Sequence, residues 1–92
     1  MAHCTYEDIV DLESCLEVIR SLDKVIERKP GTFYMKGKGF LHFHKKDGER
    51  WADVRDGLDW GEKIDIPFSA KKGERASFIK EVKKRHERTI NK

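Results

Sequence analysis

The chain has 92 residues, 40% of them charged and 37% hydrophobic, which allows one small domain with a modest core. No apolar run approaches the ~18 residues of a membrane span, and no signal-peptide pattern precedes the first charged residues, so the expectation is a cytoplasmic protein with no membrane partner. Net charge is only +3, but residues 1–28 are mainly acidic and the chain from Lys71 onward is mainly basic. Such ends attract each other where they pack side by side, and otherwise leave a basic edge for nucleic acid.

Residues 1–4 are too few to assign. Thr5 and Asp8 fit a helix start, a hydroxyl cap with an acid near the positive end of the dipole. Ile9, Leu12, Leu16 and Ile19 then recur at three- and four-residue spacing, with Cys15 and Leu22 widening the stripe, and predict an amphipathic helix. It closes at Leu22-Asp23, leaving residues 25–29 as a short strand or linker, or it runs on to Arg28. Pro30-Gly31 stops whatever precedes it. The cysteines, Cys4 and Cys15, form no CxxC pair and read as reduced thiols.

Residues 32–36 are β-rich, with Phe33 and Met35 toward the core and Tyr34 and Lys36 on the opposite side. Gly37-Lys38-Gly39 lacks the pattern and following helix of a phosphate loop and reads as a hairpin turn. Residues 40–55 form the central hairpin. Asp47-Gly48 suits a two-residue type I′ turn, whose central positions need positive φ. That turn sets the register: His44 faces Trp51, Phe43 faces Ala52, His42 faces Asp53, Leu41 faces Val54 and Phe40 faces Arg55. Leu41, Phe43, Ala52 and Val54 then share a core face, and Phe40, His42, His44, Trp51, Asp53 and Arg55 share the other.

Residues 56–62 read as loop, with Trp60 as a hydrophobic plug. Asp53, Asp56, Asp59 and Glu62 fall every third residue and do not match a calcium loop. Residues 63–68 alternate, with Ile64, Ile66 and Phe68 inward, and predict a strand that Pro67 places at an edge. Lys71-Lys72-Gly73 is a linker. Residues 74–90 form a second helix with Phe78, Ile79, Val82, His86 and Ile90 inward.

The expected fold is therefore α+β in two layers: a small antiparallel meander of three or four strands flanked by an N-terminal and a C-terminal helix, order α-β-β-β-(β)-α. If both helices cover one face, the other displays Tyr34, Phe40, His42, His44, Trp51, Asp53 and Arg55, with Lys36 beside them. Aromatics gathered on an open sheet face mark a contact site, and four readings compete. Aromatic rings can stack bases or a small ligand while Arg55, Lys36 and Lys38 meet phosphate. His42, His44 and Asp53 can hold zinc or non-haem iron, as in a metal-dependent enzyme. The face can be buried in a homodimer. Or His42 and Asp53 form an ordinary cross-strand pair and nothing binds. The expectation is a small binding domain acting through this face, with the metal-dependent enzyme as the rival from another class.

The stretch KPGTFYMKGKGF, followed by LHFH and WADVR, is similar in outline to the MmcQ/YjbR-type domains, and its FLHFH segment resembles the His-x-His strand of small luciferase-like domains. The resemblance covers about a third of the chain. It implies an α+β domain with a lean toward nucleic-acid contact, and it transfers no catalytic residue.

Overall fold

A computed structural model describes residues 2–92. In chain order these form β1 (Ala2–His3), a 3-10 helix (Tyr6–Leu12), α1 (Glu13–Arg20), β2 (Val25–Lys29), β3 (Thr32–Met35), β4 (Lys38–Lys46), β5 (Glu49–Asp56), β6 (Asp59–Trp60), β7 (Ile64–Asp65) and α2 (Lys72–Ile90). Strands β2-β3-β4-β5-β6 make an antiparallel meander. Two short strands fill gaps along it. β3 covers one end of β4, and β1 pairs with the other through Ala2–Lys45 and His3–His44. In the same way β6 and β7 share the open side of β5, β7 pairing at Trp51 and Ala52.

The α+β class and the antiparallel sheet are as the sequence implied, but the sheet has more strands than three or four. The additions are at the places where the sequence has no periodic run. β1 lies in the unassigned first residues, and β6 lies in the segment read as loop. Gly57, at φ +76°, turns β5 back on β6. The alternating run 63–68 is a strand only at Ile64–Asp65. Beyond it the Ile66 and Pro67 carbonyls accept from the Arg50 guanidinium, and Phe68 is left partly exposed over that guanidinium rather than in the core. Residues 25–29 form a strand and not a helix extension, and α2 begins two residues before Glu74, at Lys72.

Both helices cover one face of the sheet. Ile9, Leu12, Leu16 and Ile19 pack with Phe33, Leu41, Phe43, Val54, Phe78 and Val82 in a single buried cluster. The 3-10 segment starts where Asp8 Oδ2 accepts from the Thr5 backbone N–H (2.8 Å) and hydroxyl (3.0 Å). Gly31 turns β2 into β3 at φ +78°, and a Cβ there would strike the Ile9 side chain, so only glycine fits. The acidic N-terminal third does not pair with α2: among the described residues its salt bridges run from Asp8 to Lys45, from Asp11 to Arg50, and from Glu13 and Glu27 to Arg20. No helix among them is long and apolar enough to cross a membrane.

The central hairpin has the register its turn implied, from Lys46–Glu49 through His44–Trp51 and His42–Asp53 to Leu41–Val54. Asp47 and Gly48 both have positive φ, +50° and +81°. Phe40 departs from the expectation. β3 pairs Phe33 with Leu41 but Tyr34 with Gly39, so Phe40 is the extra residue of a β-bulge. The bulge turns its side chain into the core, where it is fully buried with its ring edge-on to His86 of α2 at 5.9 Å. Phe40 does not belong to the open face.

Candidate metal centre

The open face of the sheet gathers three imidazoles. His42 and His44, two apart on β4, project to the same side, and β1 brings His3 alongside them. Ring centroids lie 4.4 Å apart for His42–His44, 4.6 Å for His3–His44 and 5.5 Å for His3–His42. Each ring can offer one nitrogen such that the three atoms lie within 4.8 Å of one another. Among the described residues this is the one group of three or more His, Cys, Asp or Glu close enough to share an ion. The acids at positions 53, 56, 59 and 62 form no such group, and Asp56 is taken by Arg88 at 2.6 Å.

Burial grades across the cluster: His44 is buried, His42 half-buried and His3 exposed. The His42 Nδ1 and both His44 ring nitrogens are sequestered from solvent with no hydrogen bond to the protein. Buried polar atoms are ordinarily satisfied, and each orphan costs about 1–3 kcal/mol. Asp53 approaches His44 Nε2 to 3.0 Å through Oδ2, an ion-pair distance outside hydrogen-bond geometry. Burial, more than any neighbouring charge, holds the His42 and His44 imidazoles below their ordinary range, with the proximity of the other rings acting in the same sense and Asp53 opposing it. Neutral imidazole is the form that binds metal.

Three walls complete the site. The Trp60 ring stands edge-on to His42 at 4.9 Å and under the Arg55 guanidinium at 4.7 Å, so it folds onto the open face and not into the core. Trp51 lies 5.8 Å from His44 and carries the Lys63 ammonium over its ring at 4.8 Å. Tyr34, on β3, is half-buried with Arg28 over its ring at 4.7 Å.

The structure thus brings together His42, His44, Trp51 and Asp53, as the hairpin register required, and sets Tyr34 and Arg55 on the same face. Arg55 donates to the Gly39 and Leu58 carbonyls, and Lys36 reaches Ile90 O at the end of α2. Two of the three cations named for phosphate, Arg55 and Lys36, are therefore engaged with main chain, and Lys36 points to the helix layer. His3 was missed because two strand residues carry no periodicity. The His-x-His on β4 was the available cue that a third imidazole was worth seeking.

Compared with known proteins, the chain matches no family model, no curated protein and no solved structure.

Proposed function

We propose that this protein binds a transition-metal ion, with Zn²⁺ as the best fit, through His3, His42 and His44 on the outer face of its sheet. The observation that carries the reading is the cluster itself: three imidazoles within mutual ligand distance, two of them, His42 and His44, each with a buried Nδ1 that has no protein partner. Imidazole nitrogen suits zinc, copper, nickel and iron, and a d¹⁰ ion accepts the irregular placement that a sheet surface offers.

Asp53 is the second part of the reading. A carboxylate behind a ligating histidine fixes its tautomer and ring orientation and raises its basicity. Asp53, whose Oδ2 lies 3.0 Å from His44 Nε2, would take that role on His44 once the ring aligns its N–H with the carboxylate, from the side opposite that from which β1 delivers His3. Three protein nitrogens leave at least one coordination position for solvent or a ligand, the composition of a working zinc site and not of a closed structural one.

The test is thermal unfolding of chelator-treated protein with and without zinc. Because the ion binds the folded cluster, a free concentration of 100 times Kd should add about 2.7 kcal/mol to stability. The His42→Gln variant should show no such gain. A melting curve indifferent to zinc, copper and nickel in the wild type would remove the metal reading and leave the face as an aromatic contact surface.

A further inference from the structure

The cluster opens sideways into a cleft of about 690 Å³ whose wall includes His3. The cleft lies between the chain from β1 into the 3-10 helix and the β2–β3 turn, and its polar lining comes from Thr5, Tyr6, Arg28, Lys29, Thr32 and Tyr34. Among the described residues, no acidic one lines it. Arg28 is placed there by a second irregularity of the sheet. β2 pairs Glu27 with Phe33 but Lys29 with Thr32, so Arg28 is the extra residue of a bulge, a device that re-aims a side chain.

The Arg28 guanidinium lies over the Tyr34 ring and, among the described residues, takes part in no salt bridge; Arg55 and Arg75 also lack one but donate to backbone carbonyls, whereas Arg20, Arg50, Arg85 and Arg88 are held by carboxylates. The neighbouring acids are taken: Glu27 and Glu13 both bind Arg20. A stacked arginine keeps its planar fork pre-organised and its outer N–H groups free for a bidentate oxyanion. The Thr5 and Tyr6 hydroxyls already donate to Asp8 and Glu13, so the groups left to meet a ligand are that fork, Lys29 and the Thr32 and Tyr34 hydroxyls, a set that favours an anion over a cation.

We infer that this cleft is the ligand subsite of the metal centre and takes a small molecule bearing an oxyanion, a carboxylate or a phosphoryl group, held by Arg28 with its remainder directed toward His3 and the ion. The inference rests on the metal reading for the orientation of the ligand but not for the anion contact. A free coordination position at one end and a guanidinium fork at the other would bind such a molecule at two points.

The experiment is an NMR titration with phenylphosphonate, benzoate and inorganic phosphate, following the Arg28 Nε–H and the Tyr34 ring. It is run on wild type with and without one equivalent of zinc, and on Arg28→Gln and His42→Gln. Saturable shifts at both groups in zinc-free wild type, retained in His42→Gln and weakened at least tenfold in Arg28→Gln, are expected. Added zinc should tighten binding several-fold in wild type and leave His42→Gln unchanged. Absence of saturable shifts in wild type, or equal affinity in Arg28→Gln, overturns the subsite even where the histidine rings respond to zinc. Arg28-dependent binding that zinc does not alter would retain the anion contact and overturn the two-point geometry. Which of the three probes saturates distinguishes carboxylate from phosphoryl recognition.

Discussion

His3 and His44 face each other across β1 and β4 with ring centroids 4.6 Å apart, and this pairing is what turns a His-x-His strand into a three-nitrogen cluster. Two imidazoles on one strand are a weak chelate, and a third from an adjacent strand closes the set. Removing any one should therefore reduce zinc affinity far more than a change behind the ligands. His3→Gln is the cleanest variant because His3 is exposed and contributes little to the core. It should weaken zinc binding by at least 100-fold in calorimetry, with unfolding of the metal-free protein almost unchanged.

Asp53→Asn tests the supporting carboxylate. It keeps the shape of the side chain and removes the charge beside His44 Nε2. Outer carboxylates of this kind contribute about 10–100-fold in metal affinity. The expected result is a loss in that range with the folded structure intact. Equal affinity would place Asp53 outside the centre.

Phe40 and Trp60 separate the two faces of the sheet. Phe40 is fully buried by the bulge, whereas Trp60 is 43% exposed on the histidine side. Phe40→Ala should cost about 3–5 kcal/mol in denaturant unfolding, and Trp60→Ala should cost well under half as much. Equal costs would contradict the bulge.

Arg50 is the largest fully buried side chain, and its guanidinium donates to both Asp11 carboxylate oxygens and to the Asp8 and Ile66 carbonyls. It joins the 3-10 helix to the strand edge and the segment after β7. Arg50→Met leaves Asp11 facing orphaned carbonyls and should cost about 3–5 kcal/mol. Adding Asp11→Asn should recover part of that loss, a coupling that a double-mutant cycle measures.

Acid should unfold the protein through the same contacts. The Arg50 guanidinium holds the Asp11 carboxyl below its usual range, Arg88 does so for Asp56, and the Lys45 ammonium with the Thr5 N–H holds Asp8 at about 2. Each has a native pKa below the unfolded value of about 3.9. The unfolded chain therefore binds more protons, and this stability, full near neutrality, is lost as pH falls from about 5 to 2. Urea midpoints across that window should fall steeply for wild type and less steeply for Asp11→Asn. Parallel curves would show that Asp11 is not among the groups responsible.

The hairpin was legible because three independent constraints agree there: Asp-Gly demands a particular turn, the turn sets register, and the register sorts apolar from polar side chains without conflict. The helices were legible from their apolar stripes. What the sequence did not reveal sits where pairing departs from regularity. A bulge exchanges the faces of all residues on one side of it, so strict alternation placed Phe40 with the histidines when packing puts it against His86. β1 and β6 are two residues each, too short to have a period, and they hold His3 and Trp60, both of which shape the site. Arg50, beside the turn, gives no sequence signal of its burial, because a buried guanidinium depends on partners 16 to 42 positions away.

The central claim is tested most directly by titrating zinc into untagged, chelator-treated protein while following the imidazole C–H signals of all four histidines. His86 supplies an internal control, since its Nε2 is already paired with the Asp23 carbonyl at 2.8 Å in the other layer of the fold. The account predicts saturable shifts of His3, His42 and His44 together, at one equivalent, absent at His86, and lost at the two remaining cluster rings, His3 and His44, in His42→Gln. Shifts confined to His3, or no saturable shift at His42 and His44, would contradict it.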